Sequence, residues 1–260
     1  MKKSALLFGA TLLALTFYSF SVNDMGSSVL VKTITNSTET GTNTPIKLTY
    51  YGNKIVTTGA VTFSYTGDLI TKVASLEGSN VECIEYTYDG KGKLLSEIVK
   101  NNRGRGTILK LSETYSYTYN ADGTVTVHAQ NYPNGVTATA IESIKFTILN
   151  GNVVREEHFD TDGVSTDLTV CEYDNKNSIY KNVTGADKLI VARNFGDNNK
   201  NNVVKTTRTS GSGQHYSSSI TTNVYTYNAQ GYPQTMVSRE VYTSGIDAPI
   251  ISLSSTAYGY

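Results

Sequence analysis

Tryptophan is absent from this 260-residue chain, and cysteine (two), histidine (three) and proline (four) are scarce. Charge of one sign is also missing: 22 Lys and Arg balance 22 Asp and Glu. That balance gives no electrostatic basis for binding nucleic acid or an anionic membrane. The lack of tryptophan removes the commonest stacking platform for sugars, so cross-strand packing is the stronger reading of the other aromatics. Only one long apolar run exists, Ala5 to Leu15, and it is too short to cross a bilayer as a helix. Behind Met1-Lys2-Lys3, and followed by Ser19-Phe20-Ser21, it reads as a secretory signal peptide spanning residues 1–21. No cysteine lies near that junction to accept a lipid, the first being Cys83, so a lipoprotein anchor is not expected.

What is abundant is tyrosine, with 19 residues, alongside many Thr, Val and Ile. This composition favours strands over helices. Residues 22–45 are rich in Ser, Thr, Asn and Gly and read as a polar tether with a single strand at most. From Ile46 to the C-terminus one unit recurs: an alternating strand with aromatics, a tip of Asn, Asp and Gly, then a second alternating strand. Tyr86-Thr87-Tyr88 turns through Asp89-Gly90-Lys91-Gly92 into Leu94. Tyr117-Thr118-Tyr119 turns through Asn120-Ala121-Asp122-Gly123 into Val125, and Tyr225-Thr226-Tyr227 through Asn228-Ala229-Gln230-Gly231 into Tyr232. Cys171-Glu172-Tyr173 before Asp174-Asn175-Lys176-Asn177 is a copy without the glycine. Asn-Gly and Asp-Gly accept the positive φ that tight hairpins need. Alternation divides each strand into two faces, with the tyrosine rings covering neighbours and their hydroxyls near water.

Further turns at Pro133-Asn134-Gly135 and Asp160-Thr161-Asp162-Gly163 make the alternate connections short as well. Short connections throughout predict an all-β, antiparallel, up-and-down meander of about sixteen strands. The tips are too unevenly spaced for a solenoid, and a sheet this large must curl or close. Residues 46–260 are expected to form one barrel-like unit.

The Tyr-x-Tyr-Asp/Asn-x-x-Gly unit resembles the tyrosine–aspartate repeats of large bacterial surface and toxin-delivery shells. It is more similar to an exported family of unknown function from Gram-negative bacteria, described as having a porin-like fold. The likeness is carried by Tyr86–Leu94, Tyr117–Val125 and Tyr225–Gly231. It implies a porin-like barrel and a location in the periplasm or at the cell surface, and nothing about activity. Lipid-anchored members would have cysteine where this chain has Val22.

Candidate chemistry is sparse. His128, His158 and His215 fall in different segments and read as ordinary strand residues. Asp160-Thr161-Asp162-Gly163 resembles the start of a calcium loop, but Cys171 stands where the closing glutamate belongs, so a hairpin tip is expected. Asp197 to Asn202 reads as a polar loop, and Lys100 to Gly106 as a solvated basic tip, able at most to hold a phosphate or acidic glycan through Arg103 and Arg105. Cys83 and Cys171 sit on opposite strand faces relative to their neighbouring tyrosines and are expected to be unbridged. On the segment Tyr216–Tyr227, neither face is apolar enough for lipid. No catalytic residue, metal site or cofactor is assigned. The expectation is a water-soluble envelope protein with a non-enzymatic binding or structural role, its partner a glycan or another envelope protein. A small outer-membrane pore and a hydrolase with a loop-assembled site are the alternatives.

Overall fold

The computed structural model describes residues 28–102, 108–194, 198–211, 216–245 and 248–260. The expected leader at 1–21 lies outside them. Strands run β1 (Thr33–Thr38), the two-residue β2 (Gly41–Thr42), β3 (Ile46–Tyr51), β4 (Lys54–Thr58), β5 (Val61–Thr66) and β6 (Leu69–Glu77). Next come β7 (Asn80–Tyr88), β8 (Leu94–Asn101), β9 (Lys110–Tyr119), β10 (Val125–Asn131), β11 (Thr139–Leu149) and β12 (Asn152–Phe159). The chain finishes with β13 (Ser165–Tyr173), β14 (Val203–Ser210), β15 (Ser217–Tyr227), β16 (Pro233–Ser244) and β17 (Ile250–Gly259).

From β3 onward each strand pairs antiparallel with the next, β17 pairs with β1, and β1 pairs with β3. The result is a closed antiparallel barrel of sixteen strands, with β2 a stub beside β1. The meander predicted from the turn chemistry is the observed topology. Closure begins earlier than Ile46, however. Thr33–Thr38, within the segment read as a tether, is the strand that joins β17 to β3.

The tips explain the motif. Asp89 Oδ1 accepts from the Lys91 and Lys93 amides, and Asn228 Oδ1 from those of Gln230 and Tyr232. Such a side chain closes the turn locally, while Gly92 and Gly231, both at φ 77°, take the left-handed position. Asp160 does the same at its own tip, accepting from Asp162 and Val164, so that segment is a turn. Tyrosine has a more specific task than keeping its hydroxyl near water. Most hairpins carry a β-bulge beside the tip, and a tyrosine hydroxyl from a neighbouring strand binds the backbone just before it. Tyr88 Oη donates to the Ile70 carbonyl (2.5 Å), Tyr173 Oη to Val153 (2.6 Å) and Tyr260 Oη to Pro233 (2.8 Å). Tyr65 Oη accepts from the Ile55 amide at 3.1 Å. The rings therefore point into the barrel, and the C-terminal tyrosine is one more of these staples.

The copy without glycine is not a hairpin. After Tyr173 the chain leaves the sheet, and the next strand begins at Val203; between them residues 174–194 and 198–202 form a plug across the tip end of the barrel. Its Thr184 amide bonds the Asn53 carbonyl, its Asn177 amide that of Gly231, and its Lys200 amide that of Gly151. A short 3-10 turn, Ala186–Leu189, drops apolar side chains inside. Leu189 and Val191 join Ile70, Leu94, Val125, Ile144 and Phe146 in the main core, and Val183 and Ala186 pack with Val31, Leu48 and Ile55.

Candidate functional site

Because alternation places every second residue inside, the lumen wall can be followed strand by strand. Near the tips it is aliphatic and aromatic, as the core shows. Further along β8, β9, β11 and β12 the same inward register brings Glu97, Tyr117, Glu142, Glu156 and His158 into the interior. The plug delivers Arg193 and Asn194 to them.

Two connected carboxylate centres result. Glu97 has no exposed surface and accepts from the Tyr117 hydroxyl, the Arg193 amide (2.7 Å) and Asn194 Nδ2 (3.1 Å). Burial pushes its carboxyl pKa up against the pull of those donors, and burial together with the Glu97 charge drives the Tyr117 phenol upward. At the second centre Glu156 Oε1 accepts from Arg193 Nη1 and pairs with His158 Nε2, both at 2.6 Å. His158 Nδ1 meets Glu142 Oε2 at 2.8 Å. The hydrogen bond to Glu156 is the main reason the imidazole holds its proton above the ordinary histidine range, with Glu142 adding to it. Burial opposes ionisation of Glu156, yet His158 and Arg193 together keep its pKa below normal.

Arg193 is the hub. Its backbone serves Glu97 on β8 and its guanidinium serves Glu156 on β12, so the plug is tied to two separate parts of the wall. One donor is left over: Arg193 Nε is buried without a hydrogen-bond partner among the described residues. Beside it lies a cavity of about 350 Å³ between the plug and the inner face of β11–β14. Phe146, Val153 and Val191 line it on one side; Glu156, Arg193, Thr169 and Thr206 supply polar groups.

The residues singled out from sequence scatter. His128 points outward on β10, opposite in face to Val127 and Ala129, and His215 lies outside the described residues. Of the two described histidines, His158 enters the interior, where its neighbours are carboxylates. In the basic tip, Arg103 to Gly106 lie outside the described residues. Lys100 is paired outward with Glu85 at 2.8 Å, and Asn102 Nδ2 ties the turn to the Ser79 carbonyl. Asp197 is also outside the described residues, while Asn199 and Asn202 of the same loop anchor the plug's return to Val153 and Asp174. The two cysteines are not bridged to each other: Cys83 is buried on an outward position and Cys171 is on the cavity wall. Glu97, Glu156 and Arg193 escaped notice. Their only traces were charged residues on the apolar face of alternating strands, and a repeat copy whose turn glycine was missing.

No protein-family model matches the chain, and neither does any curated protein. Among solved structures it is similar to a porin-like protein from Bacteroides vulgatus, with a TM-score of 0.54 at 15% identity over 89% of this chain and 98% of the other. A porin-like protein from Bacteroides uniformis gives a TM-score of 0.50 at 12% identity, covering 87% and 95% respectively. At such identities the likeness establishes the barrel architecture alone.

Proposed function

We propose that this chain is an exported, water-soluble protein of the cell envelope, and that its barrel acts as a closed-ended binding cup without enzymatic activity. The observation that carries this reading is the plug: Leu189 and Val191 sit fully inside the packed tip end, where a channel would need an opening. The polarity of the wall supports it. Outward positions carry Lys72, Glu85, Lys100, Lys145, Arg155 and Glu157, and many of the others are Thr or Ser. Charges on a lipid-facing strand cost about 2–4 kcal/mol each at mid-bilayer for Lys and Arg. The buried carboxylates, for their part, are engaged in holding the plug. The envelope location rests on the resemblance of the hairpin motif and on the porin-like neighbours.

An outer-membrane pore is the second reading, and one feature favours it. On β15–β17 the outward row is aliphatic, with Ile220, Val224, Val237, Ile251 and Leu253 all substantially exposed. The sector is interrupted by Arg239 and by threonines and does not extend round the barrel. Two measurements decide between the readings. The cup should be released from cells without detergent and should give no conductance steps in a planar bilayer. Stable single-channel currents from the purified protein would replace the cup with the pore.

A further inference from the structure

We propose that the interior cavity beside Arg193 binds a small, neutral, polyhydroxylated molecule of the monosaccharide class. This deepens the binding-cup reading and rests on it. The cavity's size, about 350 Å³, lies within the range of roughly 300–1,000 Å³ typical of small-molecule sites. Its chemistry narrows the ligand further.

Three kinds of surface meet there. One wall is apolar, made by Phe146 and Val153 from the sheet and Ile190 and Val191 from the plug. Farther round the same inner face, β13 and β14 carry the hydroxyls of Thr169 and Thr206. Between them sits the Arg193–Glu156 ion pair, whose contact is 2.6 Å. That pair is not saturated. Among the described residues, Arg193 contributes Nη1 to Glu156 and has Nε buried without a hydrogen-bond partner, and Glu156 makes both of its contacts through Oε1. A guanidinium has five N–H donors and a carboxylate two acceptor oxygens, so the corner still offers a donor next to an acceptor. Adjacent hydroxyls, each able to accept and donate, complete both at once.

The alternatives fit less well. An ionic ligand would meet a balanced pair, and its charge would go uncompensated on entering the barrel. A purely apolar ligand would strip water from the ion pair and the threonines without replacing their hydrogen bonds. A molecule with hydroxyls on its rim and C–H faces above and below satisfies the polar corner while covering the Phe146 wall.

The test uses a thiol that is already in place. Cys171 lines the cavity, so its alkylation by N-ethylmaleimide, followed residue by residue by mass spectrometry, reports occupancy, while Cys83, buried on the other face of the sheet, reacts only if the fold as a whole loosens. The ligands are glucose and N-acetylglucosamine. At about ten times its Kd, a bound sugar should slow Cys171 about tenfold, since only the free fraction reacts, and should leave Cys83 unaffected. Arg193→Met should abolish protection by removing the donor, and Thr206→Phe by filling the space. Melting temperature with and without each sugar is the second readout, with a rise expected in the parent and in neither variant. The inference is overturned if neither sugar protects Cys171 or raises the melting temperature in large excess. It also fails if Thr206→Phe is protected as well as the parent, or if only phosphate or spermidine protects. Failure here, with the bilayer silent, would leave the cup reading intact; conductance would remove the cup whatever the sugars do.

Discussion

Gly185 is where one missing methyl group matters most. Its φ is 80°, and a Cβ there would lie 2.6 Å from the Asp68 carbonyl oxygen and 3.3 Å from the Ile70 amide. Neither backbone atom can move without disturbing the β5–β6 tip. Gly123, at φ 82°, has nothing within 4 Å of the same hypothetical atom. Gly123→Ala should therefore cost only the left-handed strain, about 1–2 kcal/mol. Gly185→Ala should cost distinctly more and lift the plug. Thermal melts of the two variants beside the parent check this, and equal melting points would refute the steric argument. The tyrosine staples make a gentler comparison. Tyr88→Phe leaves the Ile70 carbonyl without its donor and should lose about 1 kcal/mol. Tyr51→Phe, on an 81% exposed side chain, should be silent.

At the scale of elements, the plug is held both by packing and by charge. Leu189→Ala removes a side chain with no exposed surface and should cost about 2–5 kcal/mol, depending on how far the cavity collapses. The charged latch makes stability depend on pH. His158 has its folded pKa raised above 6.5, so its contribution is complete below that value and is lost as pH rises through the higher folded one. Glu156 has its pKa lowered from 4.5, so its contribution is present above that value and disappears as pH falls through the folded one. Glu97, with a raised pKa, also weakens the fold as it ionises, so the decisive quantity is the difference between two profiles. Melting temperature against pH for the parent should fall above about pH 6.5 more steeply than for His158→Gln. Parallel alkaline limbs would show that the imidazole does not hold the latch.

For the whole molecule, closure is the governing event. β1 supplies both the partner of β17 and the short pairing to β3, so deleting residues 22–45 would expose two unpaired edges at once. Open edges of this length invite association with other chains. The truncated protein should aggregate or melt without cooperativity, whereas a version beginning at residue 28 should behave as the parent. Size-exclusion chromatography distinguishes the outcomes.

What the amino-acid sequence by itself determined is local. Asn, Asp and Gly at the tips dictate where the chain reverses, alternation dictates which residues share a face, and short connections dictate an antiparallel meander. Those rules act over a few residues and read directly, down to the opposite facing of Cys83 and Cys171. Closure, the inward direction of the tyrosine face and the plug were decided only by the tertiary structure. Each depends on residues far apart in sequence coming together: Thr33 with Gly259, Tyr260 with Pro233, Arg193 with Glu97 and Glu156. A strand's pattern separates its two faces without saying which is inside, because tyrosine and threonine suit either. The interior site follows the same logic, since a lone glutamate on an apolar face has no meaning until the plug brings an arginine to it.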